Sequence, residues 1–370
     1  MDYDFSPEQT ALRDKVRQAL KEAPVPDLAG LEAGQLKEAL LVWAGRLAHS
    51  GFLAACRAGG LGLLLAQEAL AAASPSLLLG LAGSPQLLGR LVAHYGTPAQ
   101  QERLLPALEQ GRALGAVALG EGGTSVERGP LQTLAAPQGG GYVLSGSKGP
   151  LLGGPLADWL AVAAESPDGL VWCLLPREAA GLSLGPRTAT LGLEGAAFGG
   201  LELHDCAVPT EMVIGPLPDR SSLTVVRAWE DELMVAAGLG VLARCQQAAV
   251  AFAKAHQSGG KPIIAYQEVG FKLAESLTLQ QTAQLLAYKA AWAAEASQRE
   301  AGALAACAKV FCCEAAQRVA GEALQVLGRA GFARGNPVEE AFRDAKYLTI
   351  AGVSAEISRQ HLGEAVLAAY

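Results

Sequence analysis

The 370-residue sequence predicts a mainly helical protein with a small β domain at its centre. Two observations support this fold class. Apolar residues recur at intervals of three and four towards both ends of the chain, which indicates amphipathic helices, and the period changes to two in the middle, which indicates strands. The changes of period predict an N-terminal helical domain at 1–113, a small antiparallel β domain at 114–218 and a C-terminal four-helix bundle at 219–370.

Composition narrows the class of protein further. Hydrophobic residues make up 51% of the chain and charged residues 18%, which is typical of a globular protein with a large core. The formal net charge is −7 and no Lys/Arg-rich block stands out, which argues against a nucleic-acid partner. The first ten residues are acidic and polar, unlike a signal peptide, and no uninterrupted apolar run reaches the roughly 18 residues of a membrane span. We therefore expect a cytoplasmic protein without a membrane span.

Cysteine and histidine usage agrees with this expectation. The seven Cys are odd in number and include no C-x-x-C motif, which fits a reducing compartment better than a disulfide framework. The adjacent Cys312 and Cys313 are interpreted as small core residues. The five His do not cluster at the spacing of metal ligands, so we predict no metal site.

Local signals place the elements within each domain. Ser6 followed by Pro7 predicts the start of the first helix, and Thr97 followed by Pro98 predicts another that ends near Gly111. Period-two runs separated by Gly- and Pro-rich turns predict strands around residues 116–119, 142–146, 159–163, 170–175 and 201–205. Long helical patterns predict the bundle helices near 223–256, 265–297, 300–328 and 339–367.

The stretch from Leu324 to Arg359 carries the most informative motifs. It reads Q-x-x-G-x-x-G-F, then P-V-E, then R-D-A-K, then S-x-E-I-x-R. This order resembles the C-terminal signature of acyl-CoA dehydrogenases, FAD enzymes that desaturate acyl-CoA thioesters between the α and β carbons. The resemblance also implies the helical, β, helical order of domains that the periodicities predict.

The resemblance implies that the family's usual catalytic base is missing from this chain. In most of the family the segment after R-D-A-K reads I-Y-E-G-T-S-E-I, and its first Glu removes the α-proton. In the same register this chain has Gly352, which has no side chain to act as a base.

The candidate replacement base is Glu230. A minority of the family carries its Glu near the start of the first bundle helix, 22 residues before the aromatic residue of Y-A-x-x-R, and counting back 22 residues from Phe252 reaches Glu230. The alternative interpretation is an ordinary acidic first turn, since carboxylates are favoured near helix N-termini whatever the function. Asp231 stands where the Arg that usually follows this Glu would be.

The resemblance also implies residues that cradle the flavin ring. The family's T-E-P-x-A-G-S-D appears as G-E-G-G-T-S-V-E, so Glu121 is kept, the Thr is lost, and Thr124 or Ser125 is a candidate for the displaced hydroxyl. The family's N-G-x-K-x-W-I-T-N-G appears as S-G-S-K-G-P-L-L-G-G. Leu152 therefore replaces the Thr, and only its backbone groups remain available to the cofactor.

A second set of implied FAD contacts lies in the bundle. His256 replaces the Arg of Y-A-x-x-R-x-x-F-G. In the family this Arg binds the FAD of a neighbouring subunit. A neutral imidazole cannot form the bidentate contact that Arg makes with a pyrophosphate. Gln267 and Gln325 match conserved motif positions of the family, as does Gly328. Arg329 replaces the second Gly of Q-x-x-G-G, and either meets the pyrophosphate or fills the nucleotide groove.

The resemblance implies an FAD-dependent acyl-CoA dehydrogenase, with Glu230 taking the α-proton and flavin N5 taking the β-hydride. Two alternatives stay open: a non-catalytic or FAD-poor subunit of a mixed complex, and a family-like flavin hydroxylase. The implied partners are an acyl-CoA substrate, an electron-transfer flavoprotein as acceptor, and further subunits in a homotetramer or a heterotetramer with a paralogous chain.

Overall fold

The computed structural model describes residues 4–122 and 129–369. The N-terminal part is helical, as predicted, and Ser6 caps its first helix: the Ser6 hydroxyl accepts from Gln9 N, and the Gln9 side chain accepts from Ser6 N. The helices are α1 (Pro7–Glu22), α2 (Ala33–Ser50), α3 (Phe52–Ala55), α4 (Leu61–Ala73), α5 (Pro75–Ala82), α6 (Arg90–Tyr95) and α7 (Pro98–Glu109).

A π-helical turn, Gly83–Gly89, joins α5 to α6 and lies against the β domain. A β-carbon on Gly83 would be 2.5 Å from the carbonyl oxygen of Gly115 and 3.2 Å from that of Leu152. Only glycine therefore allows this turn to approach the sheet so closely, and the turn brings the helical domain next to the predicted flavin-binding strands.

The central domain is one sheet with the strand order β6-β7-β3-β2-β4-β5-β8 and with β1 paired beside β4. Its strands are β1 (Gly115–Ala118), β2 (Leu134–Gln138), β3 (Gly141–Leu151), β4 (Trp159–Ser166), β5 (Gly169–Pro176), β6 (Leu182–Leu184), β7 (Gly199–Pro209) and β8 (Val213–Leu217).

The expectation of a purely antiparallel sheet was wrong in one respect. β1 runs parallel to β4, with Ala116 opposite Leu160, and β2 meets the other end of β4 in parallel at Leu134 and Glu165. The β2-β3 hairpin lies between β1 and β4 in the sequence, and such a long connection allows two strands to pair in parallel. The other strand pairs are antiparallel.

The C-terminal part consists of three long helices and two shorter ones. They are α8 (Ser221–Ala255), α9 (Gln267–Glu295), α10 (Ala301–Leu327), α11 (Pro337–Leu348) and α12 (Ala355–Ala369), and a small hairpin of β9 (Gln257–Ser258) and β10 (Lys261–Pro262) joins α8 to α9. The prediction of a single helix near 339–367 was wrong, because two helices, α11 and α12, cover this range. The chain turns between α11 and α12, where Gly352 has the left-handed φ of +64°.

The first turns of α8 are fixed from two sides. Trp172 of β5 is fully buried and donates from its ring nitrogen to the Ser222 hydroxyl at 3.0 Å. Arg90 of α6 lies over the Trp229 ring, 4.6 Å from its centroid, and pairs with Glu232 at 2.6 Å. The start of α8 is therefore held between the sheet and the N-terminal helices.

Two helical stretches among the described residues have the length and apolar composition of a membrane span, Pro75–Tyr95 and Ser221–Ala255. Within their most apolar windows, 89% and 67% of the residues are buried inside the protein. Core helices of this kind meet the same criteria as membrane spans.

All seven cysteines are free, and Cys312 and Cys313 are buried, as predicted for core residues.

Candidate active site

The candidate base lies where α8 meets the β domain. The Glu230 carboxylate pairs with the Arg227 guanidinium, one helical turn earlier, at 2.5 Å. Their side chains are only 16% and 18% exposed. Partial burial strengthens this ion pair relative to one on the surface, so Arg227 holds the Glu230 side chain in one orientation.

Beneath this pair, Glu121 and Lys148 form a buried ion pair. Glu121 accepts from Lys148 Nζ at 2.6 Å and from the backbone N–H groups of Gln132 and Thr133 at 2.6 and 2.9 Å. Burial acts to raise the pKa of Glu121, but these donors outweigh it and lower the pKa to about 2. Protein donors engage both carboxylate oxygens, so Glu121 holds the backbone around Gln132 and Thr133 in place.

Lys148 experiences the opposite balance. Burial lowers the pKa of Lys148 to about 8, although the Glu121 carboxylate acts to raise it and the nearby Arg220 and Arg227 lower it further. The lysine remains charged at neutral pH because the ion pair compensates for most of the loss of hydration. The pair therefore fixes the loop after β1 to strand β3.

Glycines line the space between this loop and α8. Gly149 donates its N–H to the carbonyl of Gly120 at 2.9 Å. A β-carbon on Gly120 would lie 3.8 Å from Arg227 Nη2, so the guanidinium reaches the position that a side chain there would approach. The sequence analysis did not identify Arg227, and its only signal was the three-residue spacing from Glu230, which places both side chains on one helix face.

Tyr347 of α11 closes the site. Its ring packs against Phe198 with centroids 4.6 Å apart. Burial raises the pKa of the Tyr347 hydroxyl, and the negative charge of Glu230 raises it further. The phenol therefore stays protonated beside the carboxylate at neutral pH.

The remaining residues predicted to cradle the ring have different outcomes. Leu152 directly follows β3, is half-buried, and has its carbonyl oxygen facing Gly83. Its backbone therefore lies where the β domain meets the π-helical turn. Thr124 and Ser125 lie outside the described residues, so their role remains a prediction.

The predicted contacts in the bundle gather at its far end. His256 caps α8 and stacks on Phe252 with ring centroids 4.8 Å apart, and Gln267 begins α9. An ion pair of 2.7 Å between Lys272 and Glu322 brings the end of α10 beside the start of α9. The other predicted residues are therefore at this end too; they are Gln325, Gly328 and Arg329. All five of these predicted residues are exposed. Arg329 is one of them, so its side chain fills no groove within its own chain.

The two sets of predicted contacts are far apart within one chain. Glu230 and His256 are 26 positions apart along α8. At 1.5 Å per residue, about 40 Å of helix separates them. One flavin dinucleotide does not span that distance, so the far-end residues of this chain serve a cofactor only if it is held by another copy, as the resemblance implies.

The loop that carries Gly352 is fastened to the core by two buried groups. Lys309 donates to the carbonyls of Leu348 and Ala351 at 2.9 and 2.7 Å, and Asp231 accepts from Val353 N at 3.0 Å. Lys309 Nζ lies 3.5 Å from the Asp231 carboxylate. Burial raises the pKa of Asp231 to about 6, although Lys309 opposes this shift. The carboxylate at position 231 thus stabilises the loop.

This arrangement leaves no room for a side chain at position 352. A β-carbon on Gly352 would collide with Asp231 Oδ1, and the left-handed φ disfavours any other residue. We therefore expect Gly352→Glu to destabilise the protein by about 1–3 kcal/mol and not to create a working base. Thermal denaturation measures the effect, with Gly270→Glu as control because a β-carbon on Gly270 in α9 meets no atom within 4 Å. A Gly352→Glu protein as stable as the wild type would contradict this account.

A cavity of about 700 Å³ opens on the side of α8 that faces α4, α9, α10 and α12. This volume is within the range of small-molecule sites. Half of its lining residues are alanine or leucine, and its charged lining residues near α8 are Arg90, Arg227, Asp231 and Glu232. Arg227 lines this cavity and also reaches Gly120, so the cavity adjoins the site around Glu230.

Comparisons with known proteins agree over the whole chain. The chain matches the family models of all three acyl-CoA dehydrogenase domains: the N-terminal domain at residues 6–112, the middle domain at 116–206 and the C-terminal domain at 229–367. An acyl-CoA dehydrogenase of Bacillus subtilis is 31% identical over 276 residues, covering 72% of each chain. A mitochondrial isovaleryl-CoA dehydrogenase of Oryza sativa subsp. japonica is 28% identical over 377 residues, covering 97% of this chain and 91% of that protein.

Solved structures show the same fold. Butyryl-CoA dehydrogenase from Megasphaera elsdenii has a TM-score of 0.88 at 24% identity, covering 99% of this chain and 100% of that one. A chain of the electron transferring flavoprotein structure of Acidaminococcus fermentans has a TM-score of 0.90 at 23% identity, with coverage of 99% and 100%. PigA with FAD and proline has a TM-score of 0.89 at 21% identity, with 99% of each chain covered. The chain therefore belongs to the acyl-CoA dehydrogenase family, whose members are FAD flavoprotein oxidoreductases that act on CH–CH groups.

Proposed function

We propose that this protein is an FAD-dependent acyl-CoA dehydrogenase that removes a proton from the α-carbon and a hydride from the β-carbon of an acyl thioester. The observation that carries the proposal is the half-buried Glu230 carboxylate, held by Arg227 at the junction of α8 with the glycine-lined loops of the β domain. A fixed carboxylate with little access to water is what abstraction of an α-proton requires.

The residues at this junction fit a flavin ring. Gly120 and Gly149 present backbone without side chains, and the space next to Gly120 would accept a β-carbon without collision. The buried pair of Glu121 and Lys148 holds this surface rigid. Bound there, FAD would supply the hydride acceptor, and the far-end residues of a second copy would hold its nucleotide half.

Glu230 would act as the base. Removal of the α-proton places negative charge on the thioester oxygen, so donors near that oxygen lower the barrier. Arg227 keeps Glu230 oriented, and the 700 Å³ cavity that Arg227 also lines would hold the acyl group on the apolar side. Asp231 and Glu232 face that cavity but are engaged with Lys309 and Arg90.

The same proposal includes the partners and the compartment. A homotetramer, or a heterotetramer with a paralogous chain, would bring the far end of one copy to the ring site of another. An electron-transfer flavoprotein is the proposed acceptor, which the similarity to a chain in the electron transferring flavoprotein structure of Acidaminococcus fermentans supports. We propose a cytoplasmic location.

One observation favours a second candidate, a subunit that depends on an active paralogue. The resemblance expects an Arg at the far end, and His256 stands there instead, exposed and stacked on Phe252. A chain with a weakened far end would support flavin binding in its neighbour poorly. Purification of this chain alone, with its flavin content measured per subunit, separates the two candidates.

The visible absorption spectrum of the purified protein tests the proposed function. FAD is added, and a panel of acyl-CoA thioesters follows under anaerobic conditions. We expect flavin bands that bleach with at least one thioester. A protein that takes up no FAD would overturn the proposal and favour the dependent subunit, and bound flavin that no thioester bleaches would overturn the acyl-CoA dehydrogenase reaction.

A further inference from the structure

At Gly120 the proposed flavin site lacks a side chain that the resemblance implies, and a side chain from another part of the chain approaches this position. In the register of the resemblance a Thr hydroxyl stands at this position, and here no side chain is present. A β-carbon at Gly120 would lie 3.8 Å from Arg227 Nη2 and 3.5 Å from the carbonyl oxygen of Gly149. Among the described residues, the side-chain group nearest to the missing hydroxyl is therefore a guanidinium from α8.

The charges around this guanidinium determine what it contributes. Glu121 and Lys148 neutralise each other at 2.6 Å, and Tyr347 stays protonated because burial raises its pKa. On the side of the sheet, Arg220 pairs with Glu165 at 3.0 Å. In the described part of the chain, Arg227 is thus the charged side chain of α8 that reaches the space beside Gly120, and its partner Glu230 lies one turn further along the helix.

A cation in a site shielded from water interacts strongly with charge that develops nearby. Reduction of a flavin adds negative charge to its ring, and a neighbouring positive group tunes that step. Arg227 is only 18% exposed, so solvent screens it weakly. Its distance from Gly120 allows a donor contact with a ring seated on the glycine-lined loops.

We propose that Arg227 replaces the hydroxyl missing at Gly120 as a donor to the flavin ring, and that its charge makes the bound flavin easier to reduce. This inference rests on the proposed function, because it requires FAD at the junction. It assigns Arg227 a role towards the cofactor in addition to its pairing with Glu230.

Three variants separate this role from simple support of Glu230. We expect Arg227→Gln to weaken FAD binding about tenfold and to shift the reduction equilibrium of bound flavin at least tenfold towards the oxidised form, which is about 30 mV for two electrons. Glu230→Gln removes the anion of the same pair and leaves the cation, so its shift should be in the opposite direction. Arg227→Lys keeps the charge and should retain most of the potential.

The measurements are the FAD dissociation constant by fluorescence titration and the reduction potential by anaerobic titration against a reference dye, both without substrate. Arg359→Gln is the matched control, because it removes an arginine from a half-exposed pair with Glu314, for which we expect no change. Thermal denaturation of each variant shows whether the fold is retained.

A rescue experiment addresses the gap directly. Gly120→Thr in the Arg227→Gln background should restore most of the affinity for FAD, because a β-carbon there comes no closer than 3.5 Å to another atom and the added side chain supplies the missing hydroxyl. The potential should stay low because the cation is still absent. If Arg227→Gln folds, binds FAD and has the wild-type potential, the inference fails while the proposed function stands. A wild-type protein that binds no FAD would overturn both.

Discussion

Replacement of Glu230 by Gln is expected to slow the reduction of bound flavin by an acyl-CoA thioester by about 10²- to 10⁴-fold, the range for loss of a general base. The substitution keeps the size of the side chain and its contact with Arg227 but removes the group that accepts the α-proton. The flavin content should stay close to that of the wild type. Anaerobic stopped-flow absorbance at saturating thioester measures the rate.

The neighbouring carboxylates provide matched controls for this prediction. Glu232 lies two residues further along α8 and pairs with Arg90, so Glu232→Gln should leave the rate within a few-fold of the wild type. Asp231→Asn loosens the loop at Val353 and should affect stability more than chemistry. If Glu230→Gln reduces flavin at the wild-type rate while Asp231→Asn does not, the base is Asp231 and our assignment is wrong.

Replacement of Lys148 by Met is expected to destabilise the protein by about 3–5 kcal/mol, because it leaves the Glu121 carboxylate buried without its cation. Glu121 and Lys148 have side chains that are 5% and 0% exposed, so water cannot replace the lost partner. The shift in the thermal midpoint, measured at fixed protein and FAD concentrations, reports the loss. The exposed pair of Arg318 and Glu275 is the control, and Arg318→Met should cost less than about 1 kcal/mol.

The pH dependence adds a second test of the same pair. The pKa of Glu121 is about 2 in the folded protein, below its ordinary value of 4.5. Its contribution to stability is therefore complete above about pH 4.5 and is lost as the pH falls towards 2. The double variant Glu121→Gln and Lys148→Met removes both charges and keeps an amide oxygen for the N–H groups of Gln132 and Thr133, so it should regain most of the stability and lose this part of the acid sensitivity. A double variant no more stable than Lys148→Met would show that the pair itself is not the cause.

Local sequence patterns were sufficient for most of the fold. The helices around Pro7 and Pro98 and the long helices α8, α9 and α10 follow from caps and apolar periods, which act within a few residues. The break between α11 and α12 does not follow from such patterns. It depends on Lys309 and Asp231, which reach the loop from distant parts of the chain.

The candidate site shows the same division. Glu230 was predicted from the resemblance, in which a minority of the family carries its Glu 22 residues before the aromatic residue that matches Phe252, and its role as the base stays a prediction. Arg227 was not identified, since its meaning depends on Gly120, more than a hundred positions earlier, and only the fold brings the two together. Asp231 stands where the family usually has an Arg, so the sequence alone places a second negative charge beside Glu230. The structure provides a counter-charge in Lys309, which sequence spacing does not reveal.

The length of α8 has a consequence for genetics as well as for structure. Its first turns carry the proposed base, and its last residue precedes His256, about 40 Å away. In an assembly in which the far end of one copy faces the ring site of another, each working centre draws on two chains. A protein disabled at Glu230 and a protein disabled at its far end would then complement each other when mixed, because one of the shared centres would combine the two intact halves.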